Sequence, residues 1–348
     1  MLTSSLPVRM DKALVSLGWS EQFNLEYQAF LEALNPEARA ELQPARVIGV
    51  DRTTFRVQTG ERAEDAILSG VLLHGAEDRR MMPVIGDWVI AQRLPEPMMR
   101  IVHVLERRSK FSRAVNAGTA QRPKAASEQV MAANVDTVLI VSGLDDDFDV
   151  SRLTRYVSAV EVSGARAVVV LNKADLIDDA QDFLEQVQAL SSSLAVHVLS
   201  AAQGQGLEQL GMYFQDGLTV ALIGSSGVGK STLTNQILQR EAAITGETRT
   251  SSHHGKHTTT VRTMYFVPGG GMLIDNPGLR EIAVWDAGQA NFEDIEALAT
   301  QCKFRKCTHT SEFGCAVQKA IRNRKLEPER LMAYQRAFGV PVSKANRR

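Results

Sequence analysis

Gly224-Ser225-Ser226-Gly227-Val228-Gly229-Lys230-Ser231 decides the fold of this chain, together with a tetrad that precedes it, Asn172-Lys173-Ala174-Asp175. The octad follows an apolar run over 218–223 and precedes a helical pattern over 231–240. That strand–loop–helix context is the one in which Gly-x4-Gly-Lys-Ser cradles phosphates. Glycines let backbone N–H groups wrap the anion at the helix N-terminus. Lys230 is placed to neutralise the β and γ oxygens, the Ser231 hydroxyl to hold Mg²⁺, and Thr232 beside it to bind nucleotide. A purely structural glycine turn would need a chance match with the right periodicity on both sides. Nucleotide binding is the reading adopted.

The tetrad closes a second apolar strand, 167–171, at the carboxyl edge where ligands of parallel sheets gather. The Asp175 carboxylate can accept from both N1–H and the N2 amine of guanine, whereas adenine presents no such donor pair. In isolation Asn172-Lys173-Ala174-Asp175 reads equally as a surface turn. Its place on a strand end, and the turn Leu199-Ser200-Ala201 that closes the strand 196–199, favour base recognition with Ser200 and Ala201 supporting the ring. Downstream, Leu273-Ile274-Asp275-Asn276-Pro277-Gly278 is a strand ending followed by D-x-x-G. Asp275 is expected on Mg²⁺ through water, and the Gly278 N–H toward the γ-phosphate. Residues 248–260, rich in Thr, Ser, His and Gly, have the composition of a mobile loop suited to sensing nucleotide. One of Thr258, Thr259 or Thr260 completes the Mg²⁺ shell there, and Thr259 is the expected ligand. Ordinary GTP-binding domains read the phosphate loop first and the guanine tetrad later, so the order here is that of a circularly permuted GTPase.

Assembled, these residues resemble the RsgA (YjeQ) family of ribosome-associated GTPases, over about 45–336 and including Gly255-Lys256-His257-Thr258-Thr259-Thr260. Only the switch tetrad differs, with Asn276 where Thr or Ser is usual. The resemblance implies a permuted α/β P-loop GTPase domain between an N-terminal OB-fold barrel and a C-terminal, mostly helical zinc domain. It also implies GTP and GDP as ligands and the small ribosomal subunit with its rRNA as partner. The chain would act late in assembly of that particle, gripping rRNA in the GTP state and leaving after hydrolysis. Leu279 stands where many GTPases carry the Gln that orients water, and an apolar side chain cannot do so. His257 is therefore the best internal candidate, acting with Lys230 and Thr259. Two rival readings share these parts: a nucleotide-gated RNA-binding scaffold with incidental turnover, and a small-molecule phosphatase using the same Mg²⁺.

Composition is that of an ordinary globular protein: 348 residues, 44% hydrophobic and 23% charged, enough for more than one domain. No apolar stretch approaches a membrane span and residues 1–12 lack a signal-peptide core, so a soluble cytoplasmic protein is expected; a monomer is expected as well, although no sequence feature specifies the oligomeric state. A net charge of −1 gives no global pull toward nucleic acid. All 3 cysteines fall in one segment, against a disulfide framework. Cys302, Cys307, His309 and Cys315 read C-x4-C-x-H-x5-C, a closed tetrahedral set of the kind that holds structural zinc. Such a site leaves no position for water, so one zinc per chain is expected to fold the segment rather than hydrolyse anything.

Along the chain, 1–44 is expected as a helical extension, with Phe23, Tyr27, Phe30, Leu31 and Leu34 at helical spacing. Short alternating segments broken by Gly, Asp and Pro make 45–112 a barrel, with Trp88 in its core rather than stacked on a base. Residues 113–133 are expected as a basic linker. Arg100, Arg107, Arg108, Lys110, Arg113, Arg122 and Lys124 against the one acid Glu106 favour an RNA contact. The βαβ rhythm of 134–290 implies a parallel sheet, and 291–348 would form the zinc domain and a basic tail.

Overall fold

A computed structural model describes residues 11–51, 54–74, 82–95, 98–115, 127–245, 262–267, 269–275, 295, 298–304, 307, 309–310, 312–323, 325–326 and 331. The chain divides into two compact units, Met1–Phe111 with Val130–Arg280, and Ser112–Gln129 with Glu281–Arg348.

The first unit opens with short helices α1 (Lys12–Ser16), α2 (Glu21–Glu32) and α3 (Pro36–Arg39). Phe23 of α2 is fully buried against Trp19 and Trp88, and Tyr27 and Phe30 pack at the edge of the same cluster. The expected amphipathic helix is thus docked on the barrel. Trp88 is core, its ring edge-on to Trp19 with centroids 4.7 Å apart.

The barrel strands are β1 (Leu42–Asp51), β2 (Thr54–Gln58), β3 (Ala63–Leu68), β4 (Trp88–Arg93) and β5 (Met98–Val104), with α4 (Gly70–His74) after β3. β1 pairs antiparallel with both β2 and β4, β3 pairs antiparallel with β2 and parallel with β5, and β5 closes on β4. The ring β1-β2-β3-β5-β4 is the closed five-stranded arrangement of an OB-fold. Alternate residues such as Val47, Phe55, Val57, Val89, Met99 and Ile101 fill its interior, as period-2 patterning requires.

Next come β6 (Lys110–Val115) and β7 (Ser127–Ala133), which pair as a two-stranded sheet, so both ends of the expected linker are strands. The α/β sheet is built from β8 (Thr137–Gly143), β9 (Arg166–Asn172), β10 (Ala195–Val198), β11 (Thr219–Ile223), β12 (Arg262–Phe266) and β13 (Met272–Asp275). Helices α5 (Val150–Val162), α6 (Gln181–Gln188) and α7 (Lys230–Thr245) lie between its strands in sequence. Spatial order is β10-β9-β8-β11-β13-β12, parallel except for the antiparallel β12. The chain runs outward from β8 to β10, then returns to β8's other side as β11. The topological switch, where open α/β sheets bind ligands, therefore falls between β8 and β11.

β12 also pairs with the barrel, Gly49 opposite Thr263 and Val50 opposite Arg262. One eleven-stranded ladder thus runs from β10 to β4. Arg46 of β1 is wholly buried at this junction. Its guanidinium donates to the carbonyls of Gly86 (3.3 Å), Asn134 (3.0 Å) and Leu17. Burial lowers its pKa to about 10, which still leaves it charged at neutral pH.

In the second unit α8 (Ala316–Arg322) packs Val317 and Ala320 with Ile295, Leu326 and Leu331 into a small core that includes Cys315.

Candidate functional site

The phosphate loop leaves the buried strand β11 and enters α7 at Lys230. Ser231 and Thr232 are exposed in the first turn of α7, while Val228 is buried and anchors the loop beneath. Lys230 Nζ donates to the carbonyl of Gly224 at 2.8 Å and to that of Ser225, so the ammonium lies inside the loop's curve. Ser226 and Gly227 are exposed at the tip.

Asn172 ends β9 and is 2% exposed. Its Nδ2 donates to the Val228 carbonyl at 2.8 Å, and its Oδ1 accepts from the Ala201 N–H at 2.9 Å. One amide therefore ties the guanine tetrad to the phosphate loop and to the Ser200-Ala201 turn. Gly229, at φ +97°, is needed here because a Cβ would run into that same amide nitrogen. Asp175 is exposed and accepts from the Oγ of buried Ser200. Gln203 N–H donates to the same Oγ at 3.1 Å, fixing the hydroxyl's direction. Lys173 adopts a left-handed conformation, φ +68°, just ahead of the short helical turn 174–176.

The loop after β8 contributes residues that the motifs did not indicate. Asp145 Oδ2 accepts from Lys173 Nζ at 2.6 Å, and that hydrogen bond holds its carboxyl below the usual carboxylate range. Asp147 accepts from Ser225 Oγ across the β8–β11 switch point and pairs with Arg152 at 2.9 Å. Their signal in sequence was Asp145-Asp146-Asp147-Phe148-Asp149 directly after a buried strand, which reads as a solvated turn until its partners are known.

In the second unit the Sγ atoms of Cys302, Cys307 and Cys315 and a His309 ring nitrogen lie within 4.8 Å of one another. The Cys302–Cys315 sulfurs are 3.8 Å apart, and His309 Nδ1 is 3.6 and 3.4 Å from them. Tetrahedral zinc with bonds of about 2.3 Å to sulfur and about 2.0 Å to nitrogen would set those edges near 3.8 and about 3.5 Å. Cys302, His309 and Cys315 match those edges, and Cys307 Sγ lies within 4.8 Å of all three, close enough to supply the fourth donor. Burial lowers the pKa of His309, favouring the neutral ring a metal needs, and pushes the Cys307 thiol up to about 12. Cys315 caps α8, accepting from Gln318 N–H at 3.4 Å, and Ala316 N–H donates to Cys302 Sγ at 3.3 Å. Gln318 Nε2 holds the His309 carbonyl at 2.7 Å, steadying that residue's left-handed backbone.

A family model described as RsgA GTPase matches residues 104–285, more than half of the chain. This chain belongs to the RsgA GTPase family. It is 39% identical over 337 residues to the small ribosomal subunit biogenesis GTPase RsgA of Opitutus terrae, covering 93% of this chain and 88% of that one. The same-named protein of Methanosarcina acetivorans is 38% identical over 323 residues, covering 92% and 83%. In fold, YjeQ from Thermotoga maritima superimposes with a TM-score of 0.51 at 24% identity, covering 86% of this chain and 98% of that one.

For this RsgA-family GTPase the structure brings together Asn172, Lys173, Asp175, Ser200, Ala201 and the phosphate loop 224–231. Asp275 ends β13 opposite Thr263, one strand from the phosphate loop. His257, Thr258, Thr259, Thr260, Gly278 and Leu279 lie outside the described residues. Among the described basic residues near the barrel's end, Arg107 and Arg108 have partners within the fold. Arg107 is clamped on buried Asp87 at 2.8 Å and on the Met82 carbonyl, and Arg108 pairs with Asp136 at 3.6 Å while lying over Phe23. Arg107 is thereby taken up within the fold, whereas Arg108 remains exposed. Arg100 and Lys110 are exposed, whereas the side chains of Arg113, Arg122 and Lys124 are outside the described residues. Among the described residues, no helix is long and apolar enough to cross a membrane.

Proposed function

We propose that this GTPase acts in assembly of the small ribosomal subunit, binding its rRNA with GTP in place and leaving after hydrolysis. The observation that carries the nucleotide-binding part of this reading is Asn172, whose amide ties the tetrad 172–175 to the Ser200-Ala201 turn and to the phosphate loop. Support for the partner comes from relatives along nearly the whole chain that are named small ribosomal subunit biogenesis GTPases.

In this reading Asp175 pairs with guanine, backbone N–H groups of 224–229 and Lys230 bind the phosphates, and Ser231, Thr259 and Asp275 with its waters hold Mg²⁺. The metal's contribution is charge neutralisation at the phosphates. Gly278 senses the γ-phosphate and His257 positions water in place of the Gln that Leu279 lacks. Residues 45–112, 134–290 and 291–348 are the barrel, GTPase and zinc domains of a cytoplasmic monomer. Ordering of the two switches by GTP sets the RNA-competent state, and their release ends it. His257→Ala should leave GTP affinity near wild type and lower particle-stimulated turnover by roughly a hundredfold.

Co-sedimentation with purified small subunits tests the nucleotide gating. A non-hydrolysable GTP analogue should carry the protein down with the particle and GDP should release it. Equal pelleting with both nucleotides would overturn the gated reading.

A further inference from the structure

Most exposed apolar side chains occur singly and need no ligand to explain them. Phe304 and Phe313 are different. Both stand on the metal-binding loops, Phe304 between Cys302 and Cys307, Phe313 between His309 and Cys315, so whatever fixes the four donors fixes both rings. Phe313 is 81% exposed and Phe304 49%. Lys303 links them, its ammonium 5.1 Å from the Phe313 ring centroid and 5.7 Å from that of Phe304.

The arrangement is built into the backbone. Lys303 N–H donates to the Gly314 carbonyl at 3.1 Å, and a Cβ on Gly314, at φ +80°, would come 2.9 Å from Lys303 Cβ. The glycine therefore lets the lysine stem lie against the turn that carries Phe313. Charge around the rings is one-sided. Between Cys302 and Leu326 stand seven lysines and arginines and a single carboxylate, Glu312. That carboxylate is engaged locally by Thr310, through its N–H at 2.9 Å and its hydroxyl at 3.4 Å. Lys303, Lys319, Arg322 and Lys325 are exposed.

We infer that Phe304, Lys303 and Phe313 form a platform on which an unpaired RNA base stacks, with the surrounding cations taking the flanking phosphates. Open aromatic faces bind any base, a cation beside them meets the backbone, and rings held by a cross-linked loop need little ordering on binding. A duplex offers no free base face, so the ligand is single-stranded RNA. The inference rests on the RNA partner proposed above and assigns its contact to named side chains.

The test uses the full chain with its metal and a short single-stranded RNA carrying 2-aminopurine, whose fluorescence reports stacking. Phe313→Ala should lower affinity roughly 5- to 150-fold and remove the fluorescence change. Phe313→Trp should restore both and Phe313→Leu should not. Because stacking carries no charge, the salt slope should be the same in the Phe313 variants, whereas Lys303→Ala should make it shallower. Metal content and particle-free GTP turnover should match wild type throughout, since Phe313 lies almost wholly in solvent. Wild-type binding by Phe313→Ala with Phe304→Ala combined, or no binding of the probe by the native protein, would overturn the inference. So would loss of particle binding with probe binding intact, which would make the occupant a protein. Probe binding that needs the two rings, in a protein that small subunits neither bind nor stimulate, would contradict the proposed function and leave the platform standing.

Discussion

Asn172 and Asp175 sit three positions apart and should fail differently. Asn172 is buried with both ends of its amide on backbone partners, so Asn172→Ala leaves an acceptor and a donor unmet at about 1–3 kcal/mol each. Its melting temperature and GTP affinity should drop together, as calorimetry and nucleotide titration would register. Asp175 is exposed, so Asp175→Asn should leave the melting temperature unchanged while GTP binding falls about a hundredfold or more and XTP binding improves. Equal GTP affinity in mutant and wild type would remove the guanine assignment. The tetrad's position at the end of a strand was legible from sequence. That Asn172 is a clamp was not, because its partners lie 29 and 56 residues away. The same distance hid Asp145, whose pair with Lys173 steadies the tetrad from a loop that resembles any acidic turn. That pair is complete above the ordinary carboxylate range and is lost only as pH falls below it, through the depressed pKa of Asp145. Lys173's anchoring should therefore be indifferent to pH across the neutral range, which NMR titration of the Asp145 carboxyl would check.

At the scale of elements, period and flanking turns revealed most strands of the α/β sheet, and the phosphate-loop strand β11 fell where the apolar run put it. β12 was missed, since Arg262-Thr263-Met264-Tyr265-Phe266 mixes polar and apolar residues without a clear alternation and follows a polar loop. The ligand spacing of the metal segment was equally plain, and its four donors converge. Purified without chelator, the protein should carry one zinc per chain. Cys307→Ser or strong chelation should unfold the segment around α8, because structural zinc in small domains supplies on the order of 10 kcal/mol, while GTP binding persists. Elemental analysis with no zinc would oppose this. Burial keeps the free Cys307 thiol protonated, so zinc uptake must expel protons and affinity must rise with pH. Proton release on adding zinc to metal-free protein in weak buffer measures that directly.

Across the whole molecule, what sequence could not give was the join between barrel and GTPase sheet. Arg46 reads as one of many strand arginines, yet its buried guanidinium serves three carbonyls from separate stretches of the chain. Arg46→Ala should destabilise the first unit by about 3 kcal/mol or more, because those carbonyls lose their donor in the interior. A GTPase domain cut free at residue 134 would expose the β12 edge that β1 covers, and should aggregate rather than behave as an independent enzyme. Chemical denaturation of the variant and gel filtration of the fragment would check these expectations. The shared ladder places β1 of the barrel beside β12, which lies in sequence between the Thr- and His-rich stretch 248–260 and Asp275-Asn276-Pro277-Gly278. In the proposed function this nucleotide site answers to a ribosomal particle. Its most direct test is steady-state GTP turnover with and without purified small ribosomal subunits. The account predicts slow turnover alone and strong stimulation by the particle that declines steeply as salt is raised. Turnover already at its maximum in the isolated protein, with no increase on adding particles, would contradict it.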